Sequence, residues 1–357
     1  MYSVLLNGNI ALHSATLYEY GNVIQIPQVT YEDNVAGSFS FNMAPTHPEY
    51  NSLEEMKSNI TIKKDDEEIW SGRVVSLQKD FWNNVKVYCE GELAYFKDSI
   101  IRPYEFSGSI EEILHFFVDN HNSMVNEDRQ FEVGIITVVD NNDYIVRSSS
   151  ECSDTYEALK TKLFDSSLGG HIRVRKSNGI RYIDYLAEYD EQNNQRIEFG
   201  NNLLDITEYI KAEDIFTALI PYGKITNDGT DEVVDITSVN DGYDYIYDEA
   251  AVERYGWIWR TNKWEDVTLP DNLINKAREY LKAGAVSTKT IDVKAIDLNI
   301  IDTEVERIKL GDVIRVISPP HGIDTYMEVS KIVLDIESPQ NSKITLGKNL
   351  DSYASMM

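Results

Sequence analysis

Cysteine is nearly absent: Cys89 and Cys152 are the only two in 357 residues, too few for a disulfide scaffold and without the C-x-x-C spacing of a zinc site. A reducing compartment during folding is expected, with a single Cys89–Cys152 bridge left open. The chain also lacks any run of about 18 apolar residues and any basic start followed by an apolar stretch, so neither a membrane-crossing helix nor a secretory leader is expected. Basic residues are scarce as well, 33 against 60 acidic, for a formal charge of −27. Such a surplus opposes phosphate contact wherever cations do not cluster, which argues against nucleic-acid binding. Solubility is the simplest use of the charge; an acidic wall along which DNA slides without sticking is the sharper one. With 42% hydrophobic and 26% charged residues, the composition is that of a folded globular chain. Its length calls for two to four domains.

What is present is strand-rich. Ile24 to Ile26, Ser38 to Phe41, Ile60 to Lys63, Ile69 to Gln78 and Val85 to Glu90 alternate apolar and polar types or gather β-branched and aromatic residues. Breaks fall at Asn7-Gly8-Asn9, Pro45 to Pro48, Asp65-Asp66 and Trp82-Asn83-Asn84. After Pro103 the spacing turns helical: Ser109 caps a helix of about ten residues carrying Ile110, Ile113, Leu114 and Phe117. A second helix is expected from Ser153-Asp154 through Tyr156, Leu159, Leu163 and Phe164, leaving at Gly169-Gly170. His171 to Lys176 and Arg181 to Glu188, around Asn178-Gly179, predict a two-residue hairpin. Strands resume from Leu203 to Tyr222; residues 225–284 are polar, acidic and tyrosine-rich and end in a helix from about Asn272 to Lys282. Further strands run from Thr290.

One pattern occurs twice. Asn59 to Gly91 and Asp312 to Gly347 share an alternating strand, a turn, a longer strand with an aromatic near its start (Trp70, Tyr326), a second turn and a short strand ending at glycine. The repeat predicts two related barrels.

Leu17-Tyr18-Glu19-Tyr20, Ser38-Phe39-Ser40-Phe41, Asp154 to Tyr189 with Leu168-Gly169-Gly170-His171-Ile172-Arg173-Val174-Arg175, Pro221-Tyr222-Gly223-Lys224 and Ile344-Thr345-Leu346-Gly347 together resemble the amino-terminal hub region of siphophage and prophage tail proteins, the prophage tail endopeptidase or tail-associated lysin family. The likeness lies in the order and spacing of these short stretches over nearly the whole chain. The family is in turn similar to the baseplate hub of contractile-tailed phages. The resemblance implies two homologous β-barrels per subunit and a trimer whose six barrels match a six-fold tail tube.

Lytic or peptidase modules often accompany such proteins, but no H-E-x-x-H, G-x-S-x-G or G-x-x-x-x-G-K-[ST] occurs. The histidines, His13, His47, His115, His121, His171 and His321, are scattered; His115 and His121, six apart, fall on roughly opposite helix faces, which argues against a metal pair. A Cys152–His171 nucleophile pair stays open, although nothing beside Cys152 marks an activated thiolate. Asp65-Asp66-Glu67-Glu68, Asp231-Glu232 and Asp248-Glu249 are expected by chance in so acidic a chain. Asn227-Asp228-Gly229 and Asp241 to Glu249 lack the spacing of a twelve-residue calcium loop. Arg173, Arg175, Lys176 and Arg181 form the one basic patch, read either as an outward strand face balanced by Asp184 and Glu188 or as a dock for an anionic partner or an acidic neighbouring subunit. Trp257, Trp259, Trp264 and the tyrosines around them are read as a contact surface or as the core of an inserted domain.

The expectation is therefore a β-dominated α+β chain: a first β-barrel (tube) domain at 1–105, an α/β insertion at 106–198, a second barrel at 199–224 and 285–350, an acidic and aromatic α/β insertion at 225–284, and a tail at 351–357. As implied by the resemblance, a homotrimer closes the tail tube, joins the distal tail ring to fibre, receptor-binding, spike or lytic components, and lets tape-measure protein and DNA pass. It is expected in the virion tail tip after assembly in the bacterial cytoplasm, with no catalytic residue, metal or cofactor. Two rivals stand beside this reading. One is a peptidoglycan-cleaving endopeptidase, disfavoured because the chain ends at Met357 with no room for a catalytic domain; the other is a host-surface carbohydrate-binding module using residues 225–284.

Overall fold

The alternation that marks the first ninety residues becomes seven strands in the computed structural model: β1 (Tyr2–Leu6), β2 (Ile10–Ser14), β3 (Gln25–Glu32), β4 (Ser38–Met43), β5 (Asn59–Lys64), β6 (Glu67–Lys79) and β7 (Val85–Gly91). The structure describes residues 2–14, 21–65, 67–140, 144–166, 168–189, 192–211, 214–225, 233–264, 267–285, 288–300, 302 and 304–347. Every second residue turns inward: Phe39, Phe41 and Met43 from β4, Ile60 and Ile62 from β5, Val85, Val87 and Cys89 from β7. Each such side chain contributes about 1.5–3 kcal/mol of burial.

An α/β segment follows, with β8 (Ile100–Ile101), β9 (Tyr104–Gly108), α1 (Ile110–Asn122), β10 (Glu132–Ile136), β11 (Ile145–Ser149), β12 (Ser153–Asp154), α2 (Thr155–Leu159), β13 (His171–Ser177) and β14 (Ile180–Leu186). Ser109 caps α1 through a full capping box with Glu112, and the helix runs to Asn122, beyond the expected ten residues. The second helix is shorter than its apolar spacing predicts. α2 ends at Leu159, a π-helical turn covers Lys160–Phe164, and Gly169 and Gly170 take positive φ only after that turn. The Asn178-Gly179 hairpin forms as expected, with both residues at positive φ and Ser177 facing Ile180.

The chain then lays down β15 (Gln192–Glu198) and β16 (Leu203–Lys211). It departs into β17 (Ala218–Tyr222), β18 (Ile246–Tyr247), α3 (Glu249–Tyr255), β19 (Trp259–Lys263) and α4 (Pro270–Gly284), and returns with β20 (Thr288–Ala295), β21 (Val313–Ser318), β22 (Ile323–Asp335) and β23 (Lys343–Leu346). The excursion has its own apolar cluster, in which Trp264 packs with Leu273, Ala277 and Leu281.

The repeat is present in the strand order. In chain order β3, β4, β5, β6 and β7 correspond to β16, β20, β21, β22 and β23, and each set is hydrogen-bonded in the same sequence of neighbours. β6 and β22 both have 13 residues and both bulge after a buried valine, Val74 or Val329. The amide of each valine donates to a carbonyl, Ser58 or Asp312, and each valine carbonyl accepts from a residue of positive φ, Met56 or Gly311. The departure lies at the far edge, where β1 is antiparallel to β5 but β15 is parallel to β21. Trp70 and Tyr326, the aromatics of the sequence repeat, do not correspond: Trp70 faces Ile62 and is buried, whereas Tyr326 lies one register position on and points outward.

The two copies are not separate bodies. β3 of the first pairs with the second half of β22 in the other, so that one 13-stranded sheet runs through both.

Candidate assembly surfaces

At the joint between the copies, Gln28 to Glu32 of β3 lie opposite Asp335 to Lys331 of β22, and Lys331 pairs with Glu32 at 2.8 Å. Just past β22, the amide of Ile336 donates to the carbonyl of Pro27 at 3.0 Å, and the Ile336 side chain, 5% exposed, enters the first copy's core. Tyr31 and Leu334 touch both cores. A third element braces the joint: Asp33 accepts from Tyr189 and is 2.8 Å from His171 Nδ1. Ligand-type atoms of Asp33, His171 and Glu328 lie within 4.8 Å of one another, the one such trio among the described residues. Their geometry ties β3, β13 and β22 together.

Three of the remaining histidines, His47, His121 and His321, are held by hydrogen bonds. His47, buried, accepts the Glu49 amide at Nδ1, so Nε2 carries the proton and donates to the Leu12 carbonyl at 2.9 Å. His121 sits between the Ser99 hydroxyl (2.8 Å) and the Arg129 carbonyl (3.1 Å) while His115 faces solvent, the opposite-face arrangement expected. Burial holds the His121 imidazole below its ordinary pKa. His321 contacts the Ser318 hydroxyl. Neither cysteine is bridged: Cys89 is buried in β7, where desolvation pushes its thiol pKa up, and Cys152 is exposed. That settles the open disulfide. His171, the suggested partner of Cys152, packs tilted against Tyr189 and turns to Asp33.

The basic patch is not an open outward face. Arg173 and Arg175 clamp Asp184, which is fully buried and also accepts the Ile135 amide at 2.8 Å. Lys176 reaches Glu68 and Glu92, and Arg181 reaches Glu92 at 2.7 Å, so these cations bind the hairpin to the first copy. Asp184 is the balancing charge the sequence predicts, and Glu92 is a second one that the sequence does not single out. Of the paired carboxylates, Glu67 and Glu68 form ion pairs with Arg307 and Lys176, and Asp248 caps α3. Asp66, Asn227-Asp228-Gly229 and Asp231-Glu232 lie outside the described residues.

Two aromatic surfaces stand out. In the excursion, Tyr243, Tyr247, Trp257 and Trp259 are each about half exposed, and the last two stack at 5.4 Å, while Trp264 is core. A cleft of about 600 Å³ lined by Tyr243, Tyr245, Tyr247, Arg278 and Lys282 lies beside them. The other surface is the β6–β7 turn, whose Phe81 is 87% exposed and packs edge-on against Trp82. Sequence reading takes this turn as a mere break; Phe-Trp in an otherwise polar turn is the signal it passes over.

Residues 191–357 match the sequence model of the family described as prophage endopeptidase tail. The match covers the second copy and its excursion. Fold similarity extends over nearly the whole chain, to the tail protein from Neisseria meningitidis (TM-score 0.67, 12% identity, 98% of this chain and 97% of that one). The 43 kDa tail protein of prophage MuSo2 from Shewanella oneidensis is similar too (0.64, 13%, 98% and 99%), as is prophage tail protein gp18 from Listeria monocytogenes (0.61, 16%, 93% and 91%). At these identities the likeness is one of fold. No curated protein matches. Among the described residues no helix is long and apolar enough to cross a membrane.

Proposed function

We propose that the chain is a structural hub of a phage or prophage tail tip, three copies of which form a ring that closes the tail tube. The carrying observation is the duplication: two meanders with the same strand order, matched bulges and matched hydrogen bonds, joined edge to edge. A three-fold object that presents two similar surfaces per subunit mates with a six-fold ring without mismatch, which is a physical reason to keep both copies. In this reading β1–β7 and the second meander, β15 and β16 with β20–β23, are the tube domains, and the α/β segment from β8 to β14 and the excursion from β17 to α4 are attachments to them. The ring links the distal tail ring to fibre, receptor-binding, spike or lytic components and passes tape-measure protein and DNA through an acidic, non-sticking channel. It resides at the virion tail tip after assembly in the host cytoplasm.

The role is mechanical rather than catalytic. In support, the histidines and cysteines that could serve a hydrolase are instead buried, in structural hydrogen bonds or apart from one another. The name of the matched family keeps a peptidoglycan endopeptidase as the reading to beat. Sedimentation velocity up to high micromolar concentration, with a peptidoglycan zymogram on the same protein, separates the two. A trimer that grows with concentration and clears no cell wall is expected; a monomer that digests cell wall overturns the hub.

The half-exposed rings of the excursion favour a second role for that unit, host-surface carbohydrate recognition, because aromatic faces exposed together are contact surfaces more often than solvent coats. Cell-wall pull-down that disappears on removing residues 225–284 is its test.

A further inference from the structure

The joint inside the chain has one unfilled counterpart at each end. β22 uses the edge remote from β23 twice, for β21 over its first half and for β3 over Lys331 to Asp335. β6 is the same strand in the first copy: β5 occupies its first half as far as Arg73, and among the described residues no strand takes that edge over Ser76 to Lys79. At the other end β16, counterpart of β3, is the terminal strand of the sheet, and among the described residues β20 is the one strand laddered to it. One edge therefore lacks the strand that the other edge offers.

We propose, resting on the hub reading, that β16 of one copy pairs antiparallel with the second half of β6 in a neighbouring copy of this chain, and that Phe81 docks against that neighbour's second core. Superposing bulge on bulge sets the register. Lys331, Ile332, Val333, Leu334 and Asp335 become Ser76, Leu77, Gln78, Lys79 and Asp80; Glu32, Tyr31, Thr30, Val29 and Gln28 become Lys211, Ile210, Tyr209, Glu208 and Thr207. No like charges face each other, and Lys79 meets Glu208 where the internal joint has Leu334 opposite Val29.

Phe81 supplies the independent observation. In this register it is the counterpart of Ile336, which is 5% exposed in the internal joint, whereas Phe81 is 87% exposed in the single chain. The Ile336 amide bonds to Pro27, and the matching carbonyl is that of Ile206, at the rim of the second core. The turn that presents Phe81 is fixed beforehand: Asp80 Oδ1 accepts the amides of Trp82 and Asn84, both at 2.8 Å. A large apolar ring held rigidly in water is the form of an interface anchor, because little freedom remains to be lost on docking. The contact is head to tail, so repetition gives a closed ring or an open filament.

In a Cys152→Ser background, chains carrying Gln78→Cys are mixed with chains carrying Tyr209→Cys and oxidised gently. A covalent dimer is expected in the mixture and in neither variant alone. Asp205→Cys in place of Tyr209→Cys shifts the thiol four residues and is expected to lower the yield about tenfold or more, since disulfides need Cα atoms within about 7 Å. Phe81→Ser is expected to weaken self-association by about tenfold or more with the melting temperature of the dilute monomer unchanged. A sedimenting trimer with neither cross-link nor Phe81 sensitivity overturns this joint and leaves the hub standing. With Gln78→Cys and Tyr209→Cys placed in one chain, cross-linked ladders that never close at three chains keep the joint and remove the ring. A chain monomeric at high micromolar concentration without cross-link overturns both.

Discussion

The two copies of the meander share backbone and differ in filling. The first packs aromatics, with Phe39 5.1 Å from Phe41 and 5.8 Å from Trp70, while the fully buried residues of the second are aliphatic, Ile291, Val293, Ile314, Val316 and Leu346 among them. The first copy runs from β3 to β4 through residues 33–37; the second opens at the matching point to admit the whole excursion from 212 to 287. What stays constant is the bulged long strand and the edge it offers. The invariant feature is thus the geometry of joining, and core composition is free to drift so long as alternation and volume are kept.

The sharpest break in the comparison lies at the base of β6. Arg73, 2% exposed, pairs with Glu90 at 2.7 Å, contacts Asp98, and lies over the Tyr95 ring; Asp98 also takes Arg129 at 2.7 Å. The residue at this position in β22 is Glu328. Arg73→Ala leaves two carboxylates without their buried cation and is expected to cost about 3–5 kcal/mol in denaturant unfolding. A loss below about 1 kcal/mol would mean that the cluster is incidental to the first copy.

Next in size is the aromatic mismatch. Trp70→Ala empties a core position and should cost about 3 kcal/mol. Tyr326→Ala, on the outer face, should stay within about 0.5 kcal/mol. Equal losses would show that the two aromatics do correspond, as their sequence positions imply, and that the register argument is wrong.

Acid should separate the copies too. Burial depresses the pKa of His13, in the first copy, and of His121, in the α/β segment packed beside it; among the described residues the second copy contains no buried histidine. A folded pKa below the unfolded 6.5 means that the unfolded chain binds the proton more readily. Stability is therefore full above about pH 6.5 and falls as pH drops toward the folded pKa, by at most about 1.4 kcal/mol per unit for each group. Hydrogen exchange on lowering the pH from 7.5 to about 5 is expected to open the first copy and the α/β segment before β20–β23. His121→Gln should flatten the slope while lowering stability throughout.

Most of the meander was legible because its signal is local. Alternation placed β4 to β7 and β21 to β23, and Asn178-Gly179 and Ser109 announced the hairpin and the capped helix. The β3–β22 pairing was not legible, since it joins segments some three hundred residues apart and nothing in Gln28 to Glu32 specifies an antiparallel partner rather than solvent. The parallel β15–β21 pair was hidden for the same reason. The basic hairpin misled because charge alone does not say which way a strand faces: Arg173 and Arg175 serve a carboxylate buried on the adjacent strand. Phe81 was hidden by its turn, where composition reads as solvent-facing whatever the chain docks against.

The smallest expected effect tests where the copies part within β3. Ile26 and Pro27 bulge opposite Phe41, and Ile26 adopts φ 50°, a left-handed conformation that β-branched residues rarely tolerate. The second copy has no extra residue there, only Ile206 opposite Val293 in ordinary extended backbone. Ile26 is mostly exposed, so its side chain contributes little packing to set against the strain of roughly 1–2 kcal/mol. Ile26→Gly relieves that strain at a cost of about 0.5–1 kcal/mol in unfolded-chain entropy, for a net gain of about 0.5–1 kcal/mol. Ile206→Gly should destabilise instead, because Ile206 packs on the second core and gains nothing from a residue free at positive φ. Opposite signs for one substitution at two matched positions, measured by urea unfolding of the monomer, would locate the difference in the bulge; a loss at both would mean that Ile26 contributes contacts its exposure conceals.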